Sequence, residues 1–334
     1  MRGYVVGRLI QLPIILLVVS ATVFFSLRLS PGDPIDVATE NVRDPAEIER
    51  IRREWGLDRP LIVQYVQYIG GVLRGDFGRT FFGNKPVSDV LRERFPATLE
   101  LALLGLLIGC GLGVMLGVAS AVWRNSAMDL GFRAIALLGV SLPSFWLGLT
   151  FIDLFALRLG WLPVQGRFDP RAPMEPITGL YLLDGLLHGD PSLSIKALTY
   201  LALPATVLGL FVAGFVARIT RASVLDALRQ QYIVTARAKG IPPTAVVVRH
   251  GLRNALLPIV TLAGLQFGNL LGGAAITETV FAWPGLGRAL AEAIYVKDFP
   301  QVQGSILLLA TTYVIVNTLV DLSYGFIDPR IRKG

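Results

Sequence analysis

Six long, mostly apolar runs set the pattern of this chain: Leu9–Leu29, Thr98–Trp123, Phe132–Leu157, Ala197–Ile219, Pro258–Val280 and Ser305–Phe326. About 20 predominantly apolar residues are needed to cross the hydrocarbon core of a bilayer as a helix. Within lipid every backbone polar group must find its partner inside its own segment, so each run is expected to be helical. The pattern predicts an all-α, polytopic membrane protein with six transmembrane helices. It divides the chain into an N-terminal transmembrane helix (1–29), a structured loop (30–96) expected on the external side and a core (97–334) with five transmembrane helices at about 98–123, 132–157, 197–219, 258–280 and 305–326. A shorter apolar run, Ile177–Leu187, is interrupted by Asp184 and Gly185 and reads as an interfacial or loop helix.

The polar loop 30–96 carries its own helix signals. Asp44-Pro45-Ala46-Glu47 resembles a capping box with proline at the first helical position. The helix it opens runs through Ile48 and Ile51 to Trp55, and Gly56 stops it. Leu61–Leu73 reads as a second amphipathic helix, Gly75-Asp76-Phe77-Gly78 as a turn, and Val87–Phe95 as a short helix leading into the second span.

Composition agrees with a lipid solvent. Hydrophobic residues make up 53% of the chain, charged residues 16%, and mean hydropathy is +0.59. Soluble domains carry about 25% charged residues. The net charge of +7 is assigned to loops facing the cytoplasm rather than to nucleic acid, because lysine and arginine accumulate there in membrane proteins. Arg2 and Arg8 precede the first span, Arg124 follows the second, and Arg218, Arg221, Arg229, Arg237, Lys239, Arg249 and Arg253 follow the fourth. Arg330, Arg332 and Lys333 close the chain, whereas the loop 281–304 holds only Arg288 and Lys297. Both termini and the segment 220–257 are therefore expected on the cytoplasmic side. Loop 30–96 balances ten basic residues with eleven acidic ones, and long loops translocate largely regardless of charge. The run Leu9–Leu27 is long for a signal peptide, and Arg28-Leu29-Ser30-Pro31 is a poor cleavage site. Cys110 stands alone, which excludes an internal disulfide.

Glycines recur every fourth residue in two spans: Gly105, Gly109, Gly113 and Gly117 in the second, and Gly264, Gly268 and Gly272 in the fifth. Small residues at this spacing let helix backbones approach closely, and such interfaces are able to slide. Charged groups within or beside the spans include Asp153, Glu278 and Asp321; Gln266, Asn269 and Asn317 are polar and neutral. Asp153, Gln266, Asn269 and Asn317 either bond helix to helix or line a polar path. The chain has no G-x-x-x-x-G-K-[ST] loop for nucleotide, no H-E-x-x-H pair for a metal, and histidine only at His188 and His250, both expected in loops. No cofactor is expected in this chain. An intramembrane enzyme would require paired catalytic groups, and a self-sufficient proton-coupled transporter a mid-membrane carboxylate; both remain only remote alternatives.

The segment 220–257 is punctuated as helix, turn, short helix. Gly240 ends one helix, Pro242 and Pro243 open the next, and Gly251 is expected to end it. Between them lies the apolar run Ala245–Val248, flanked by Arg249 and Arg253, a composition suited to docking in a groove of another protein.

This segment resembles the cytoplasmic loop of ABC importer permeases of the dipeptide/oligopeptide/nickel family. Their general signature reads Glu-Ala-Ala, three residues, glycine, nine residues, Ile-x-Leu-Pro; here Gly240 and Leu257-Pro258 match, and of the triplet Val234-Thr235-Ala236 only Ala236 does. The peptide branch of the family departs in the same way, with a Thr-Ala-Arg-Ala-Lys-Gly run and a later His-x-x-Arg-Asn-Ala-x-x-Pro, present here at Thr235–Gly240 and His250–Pro258. Further matches are Gly56-Leu57-Asp58-Arg59-Pro60, Tyr65, Gly75–Gly78, Pro86-Val87, Pro96-Ala97-Thr98-Leu99, Glu278–Gly287 and Asp328-Pro329-Arg330-Ile331-Arg332. The resemblance implies a type I ABC importer permease architecture and a non-enzymatic, multi-pass subunit of the bacterial inner membrane. It implies a second homologous permease, two ATPase subunits that bind ATP and Mg, and an external substrate-binding protein. It also implies that Ala236, Arg237, Gly240, Ile241, Pro243, Val246, Val247, His250 and Arg253 dock the ATPase. Peptides are the default cargo; nickel chelates, glutathione and oligosaccharides are the alternatives within the family.

Overall fold

The structure, a computed structural model of the 334-residue chain, describes residues 2–31, 33–38, 44–171 and 174–327. The expected C-terminal motif Asp328–Arg332 lies outside the described residues. In chain order the helices are α1 (Arg2–Leu29), α2 (Pro34–Ala38), α3 (Pro45–Glu54), α4 (Leu61–Val72), α5 (Val87–Val122), α6 (Ala127–Ser141), α7 (Ser144–Phe151, continued by a π-helical turn Ile152–Arg158) and α8 (Tyr181–Leu187). They continue with α9 (Pro191–Leu228), α10 (Gln231–Ala238), α11 (Pro243–Ala245, continued by a π-helical turn Val246–Leu252), α12 (Arg253–Gly273), α13 (Ala275–Val280), α14 (Leu286–Tyr295) and α15 (Phe299–Ile327). Five helical stretches are long and apolar enough to cross a membrane: Gln11–Leu29, Val87–Val122, Pro191–Leu228, Pro243–Gly273 and Phe299–Tyr324. Among the described residues these become six if α6 and α7, apolar enough together, count as one bent span.

That sixth span corrects the expected continuous helix 132–157. The chain bends by 102° between α6 and α7. The cause is local: Pro143 has no N–H to donate and forces its predecessor out of the helical region, and Leu142 is accordingly extended at φ −85°, ψ 132°. A second difference runs the other way. The short helix expected at Val87–Phe95 and the second span form one 36-residue helix, with Pro96 inside it. The fourth span likewise extends at both ends, to 38 residues, opened by Asp190, whose side chain caps the backbone N–H of Ser192 at 2.9 Å.

The chain forms two compact units. One comprises Arg2–Thr98 and Pro284–Val314; the other comprises Leu99–Trp283 and the residues from Ile315 onward. In the first, the cap at Asp44 and the turn at Gly56 form as read from sequence, but Glu47 bonds Arg50 and does not close a capping box. Asp44 accepts from Ala46 N at 2.9 Å and Pro45 opens α3, while Glu47 accepts from Arg50 at 2.6 Å. Gly56 adopts φ +65°. Trp55 stacks on Phe81 with ring centroids 4.0 Å apart, and Arg28 lies 3.5 Å over the ring of Phe24 while its Nε donates to Gln64 at 2.8 Å. Asp298 is buried and accepts from Phe82 N and Gln301 N, both at 3.3 Å. These contacts tie the loop to α1 and to the residues around Asp298 through an aromatic and polar core.

In the second unit α9 is the most buried element and packs against α6, α8 and α12. The glycines of α5 face it. A Cβ added at Gly105 would meet Leu208 Cβ at 3.1 Å, and one at Gly109 would stand 2.5 Å from Val212 Cβ and 2.8 Å from Gly209 O. Added at Gly113 it would lie 2.6 Å from Val216 Cβ, and at Gly117 2.6 Å from Ala217 O. At Gly109, Gly113 and Gly117 there is no space for anything larger than hydrogen, while Gly105 is tight but less closed. The second stripe does not continue in this way: Gly264 faces Val320, 2.7 Å from a Cβ, but at Gly272 a Cβ would meet nothing within 4 Å. Gly268 is half-buried.

Candidate functional site

The segment that joins α9 to α12 is built around one turn. Lys239 caps α10, Gly240 follows with φ +76°, Gly240 N donates to Arg237 O at 2.9 Å and Ile241 N to Ala236 O at 3.3 Å. This is the double hydrogen-bond pattern of a glycine C-terminal cap, in which a left-handed residue turns the chain back and satisfies the last carbonyls. Pro242 then stands before Pro243, the first residue of the next helix. Ile233, Ala236 and Val246 are buried together, with Leu228 and Ile241 packed against them. The apolar contact that commonly accompanies such a cap is thus supplied by Ile241.

Two expectations are corrected here. Gly251 does not end the helix opened at Pro243: the chain continues through the π-helical turn Val246–Leu252 into α12, so that Pro243–Gly273 is one helical stretch. Gly251 is buried, and a Cβ there would meet Leu228 at 3.3 Å, so the glycine serves a close pass beside α9 rather than a stop. Pro258 consequently lies inside α12 instead of opening it.

The second correction concerns the outward face. Val246 is 1% exposed and Ala236 6%, so both hold the segment together and neither is available as a surface anchor. Val247, His250 and Ile241 are half-buried, while Arg237, Gly240, Pro243 and Arg253 are exposed. Large apolar side chains that do face outward are Tyr232, Val234 and Val248. Residue type alone did not single them out; the helical register relative to the buried Ile233 and Val246 places them on the other side. Asn254 ties the two helices by donating to Tyr232 Oη at 2.7 Å and to His250 O at 2.9 Å.

The polar residues expected within the spans fall into separate places. Gln266 is buried and accepts from Asn269 at 2.9 Å. Asp153, half exposed, pairs with Arg158 at 2.9 Å on the π-helical turn. Asn317 is half-buried on α15. Sequence reasoning missed the more extensive polar cluster, in which Arg167 donates to Glu100 at 2.7 Å and to Gly179 O at 2.5 Å, and its guanidinium lies 4.0 Å over Tyr181. Beside it the fully buried Asp184 accepts from Thr178 N at 2.8 Å and Gly179 N at 3.0 Å. The interruption of the run Ile177–Leu187 by Asp184 was the available signal.

The family model for the binding-protein-dependent transport system inner membrane component matches residues 113–333, and that for the N-terminal part of such membrane components matches residues 1–102. The chain belongs to this family. It is a permease of the ABC importer class, not an enzyme, and a multi-pass protein of the bacterial inner membrane. Membership places it in a membrane complex with an ATPase and a substrate-binding protein. It is 44% identical over 315 residues to the di/tripeptide transport system permease protein of Pseudomonas aeruginosa, covering 94% of each chain. It is 40% identical over 332 residues to the dipeptide transport system permease protein of Alkalihalophilus pseudofirmus, covering 99% of this chain and 100% of the relative. The glutathione transport system permease protein of Salmonella choleraesuis is 40% identical over 332 residues, covering 99% of each. The fold is that of a subunit in inward-facing structures of the MetNI methionine ABC transporter, with TM-scores of 0.52 and 0.54 at 20% identity; these cover 70% and 72% of this chain and 93% and 96% of theirs.

Proposed function

We propose that this chain is the channel-forming subunit of an ATP-driven importer of di- and oligopeptides. In this reading it pairs with a second homologous permease, with two ATPase subunits that bind ATP and Mg, and with an external substrate-binding protein that delivers the cargo. Both termini and the segment 220–257 face the cytoplasm. The similarity to the di/tripeptide permease, at 44% over 94% of both chains, carries the peptide assignment. Glutathione is the second reading, supported by the 40% identity to the glutathione permease; it too is a small peptide.

The α10–Gly240–α11 turn is the ATPase-docking element in this proposal. Its interior cluster makes it stiff enough to transmit a push, and its outward face offers Tyr232, Val234 and Val248 as apolar contacts among Arg237, Arg249 and Arg253. Nucleotide-driven closure of the ATPases draws two such turns together and switches the spans between inward-open and outward-open states. The close-packed α5–α9 seam is an interface that shifts between discrete arrangements during this switch, because packed interfaces are bistable rather than continuously deformable. The test is uptake in proteoliposomes holding the reconstituted assembly together with its substrate-binding protein. ATP-dependent accumulation of a labelled dipeptide supports the reading; accumulation of glutathione alone selects the second; accumulation of neither refutes the cargo assignment.

A further inference from the structure

One cleft in the second unit has the chemistry of a ligand site that the permease reading does not use. It has a volume of about 370 Å³ and lies between the last turns of α5, the middle and later part of α6 and the later part of α9. Its size is that of small-molecule pockets. The lining includes Arg133, Arg218 and Arg221 and contains no carboxylate. Arg221 is half satisfied from behind: its Nε and Nη2 reach the two oxygens of Asp129 at 3.1 and 2.9 Å, and Arg133 approaches the same carboxylate at 3.3 Å. Arg218 lies 5.6 Å over the Phe215 ring. Two guanidinium groups therefore share one carboxylate while the third, Arg218, makes no ion pair to it, so the three arginines with Asp129 carry a net charge of two to be matched from outside the protein.

Apart from Ser120, which bonds Asp129, the remainder of the lining is apolar and includes Phe132, Leu137, Val140 and Phe215. The cleft opens beside the outward face of α6, where Leu130, Ile135, Leu137 and Leu138 are all more than half exposed. Such a face calls for lipid or a protein neighbour. Trp123, itself 45% exposed, packs on Phe132 with centroids 5.8 Å apart at the same end of these helices. Aromatic side chains of this kind mark headgroup depth. Cations at headgroup depth above an apolar wall match a molecule that is anionic at one end and hydrocarbon at the other. Basic pockets between transmembrane helices bind anionic lipid headgroups on this principle.

We propose that the α5–α6–α9 cleft binds an anionic phospholipid, its phosphodiester held by Arg133, Arg218 and Arg221 and an acyl chain laid along Phe132, Leu137, Val140 and Phe215. The charge excess over an apolar wall selects this occupant over a second permease. The site is independent of which cargo the importer carries.

The experiment uses the complete importer assembly in nanodiscs of phosphatidylcholine with increasing phosphatidylglycerol, read by thermal unfolding and by native mass spectrometry of retained lipid. Wild type is expected to bind phosphatidylglycerol saturably and to be stabilised by it. Arg218→Gln, which breaks no ion pair to Asp129, and the double variant Arg133→Gln with Arg218→Gln are expected to weaken retention by about fivefold for each arginine removed, equivalent to about 1 kcal/mol apiece. Inorganic phosphate should not reproduce the stabilisation; if it does, the site takes a free anion and the lipid assignment falls. A photo-cross-linker at Leu137 should capture phospholipid; capture of the second permease would overturn the proposal, as would equal phosphatidylglycerol retention by wild type and Arg218→Gln. If the double variant fails to assemble, the Arg218→Gln comparison decides alone.

Discussion

Arg167 donates its Nη2 to Glu100 at 2.7 Å, joining a loop residue to the second-span helix 67 positions earlier, with both side chains less than a tenth exposed. Glu100 Oε1 also accepts from Leu182 N at 2.7 Å, so one carboxylate fixes the loop and the start of α8 together. A buried pair is costly to break from one side, because the survivor is left charged and unpaired. Arg167→Ala is expected to destabilise the protein by about 3–5 kcal/mol, read as a lowered unfolding midpoint in detergent. Glu100→Gln, which keeps an acceptor for Arg167, should cost less. Equal midpoints for wild type and Arg167→Ala would show that the pair contributes nothing net.

The α5 stripe gives a graded series. At Gly109 and Gly113 an added Cβ meets both a valine side chain and backbone oxygen of α9 within 3 Å, and backbone cannot move aside as a side-chain tip does. Gly109→Leu should lose folded monomer on size exclusion, with an overpacking cost of at least about 1–3 kcal/mol. Gly272→Leu, where the space is open in this chain, should fold normally. A folded, fully stable Gly109→Leu would contradict the close α5–α9 seam.

At Gly240 the constraint is conformational rather than steric. A Cβ would meet nothing within 4 Å, yet φ is +76°. A β-branched residue there costs roughly 1–2 kcal/mol locally. Gly240→Ile is expected to leave membrane insertion intact, since no span is altered, while reducing ATPase retention and peptide uptake. Gly240→Asn, which tolerates the left-handed region, should retain more of both. If Gly240→Ile retains its ATPase and transports at the wild-type rate, the coupling role assigned to this turn fails.

Asp298 supplies a pH test. Burial pushes its carboxyl above the usual value of 3.8, opposed by the backbone N–H groups of Phe81, Gln301 and Phe82. Because the folded value is raised, the neutral form is favoured in the native state. The associated stability is fully present below the unfolded value and is lost as pH rises through the folded one. Wild type should therefore lose this increment on going from about pH 4 upward, and Asp298→Asn should show a flatter profile over that window. Identical pH–stability curves for the two proteins would refute the assignment.

The order of the spans, the cap at Asp44, the turns at Gly56 and Gly240 and the family itself were legible in the sequence, because each rests on local chemistry: a run of apolar residues long enough for a bilayer, a capping side chain, a glycine that reaches positive φ. The break at Leu142-Pro143 was local too, yet an apolar run of the right length concealed it. What only the tertiary structure decided is which side of each element faces its neighbours. Val246 and Val248 are alike by type, but one is buried against Ile233 and the other is 60% exposed. Gly109 and Gly272 both sit in four-residue stripes, but only the first has a backbone against it. Glu100, Asp129, Arg167 and Arg221 are unremarkable in sequence and become paired only because the chain returns past them 67 and 92 residues later. Local propensity is encoded within a turn or two of the chain; burial and charge pairing depend on contacts far apart in sequence, and those are set only when the helices pack.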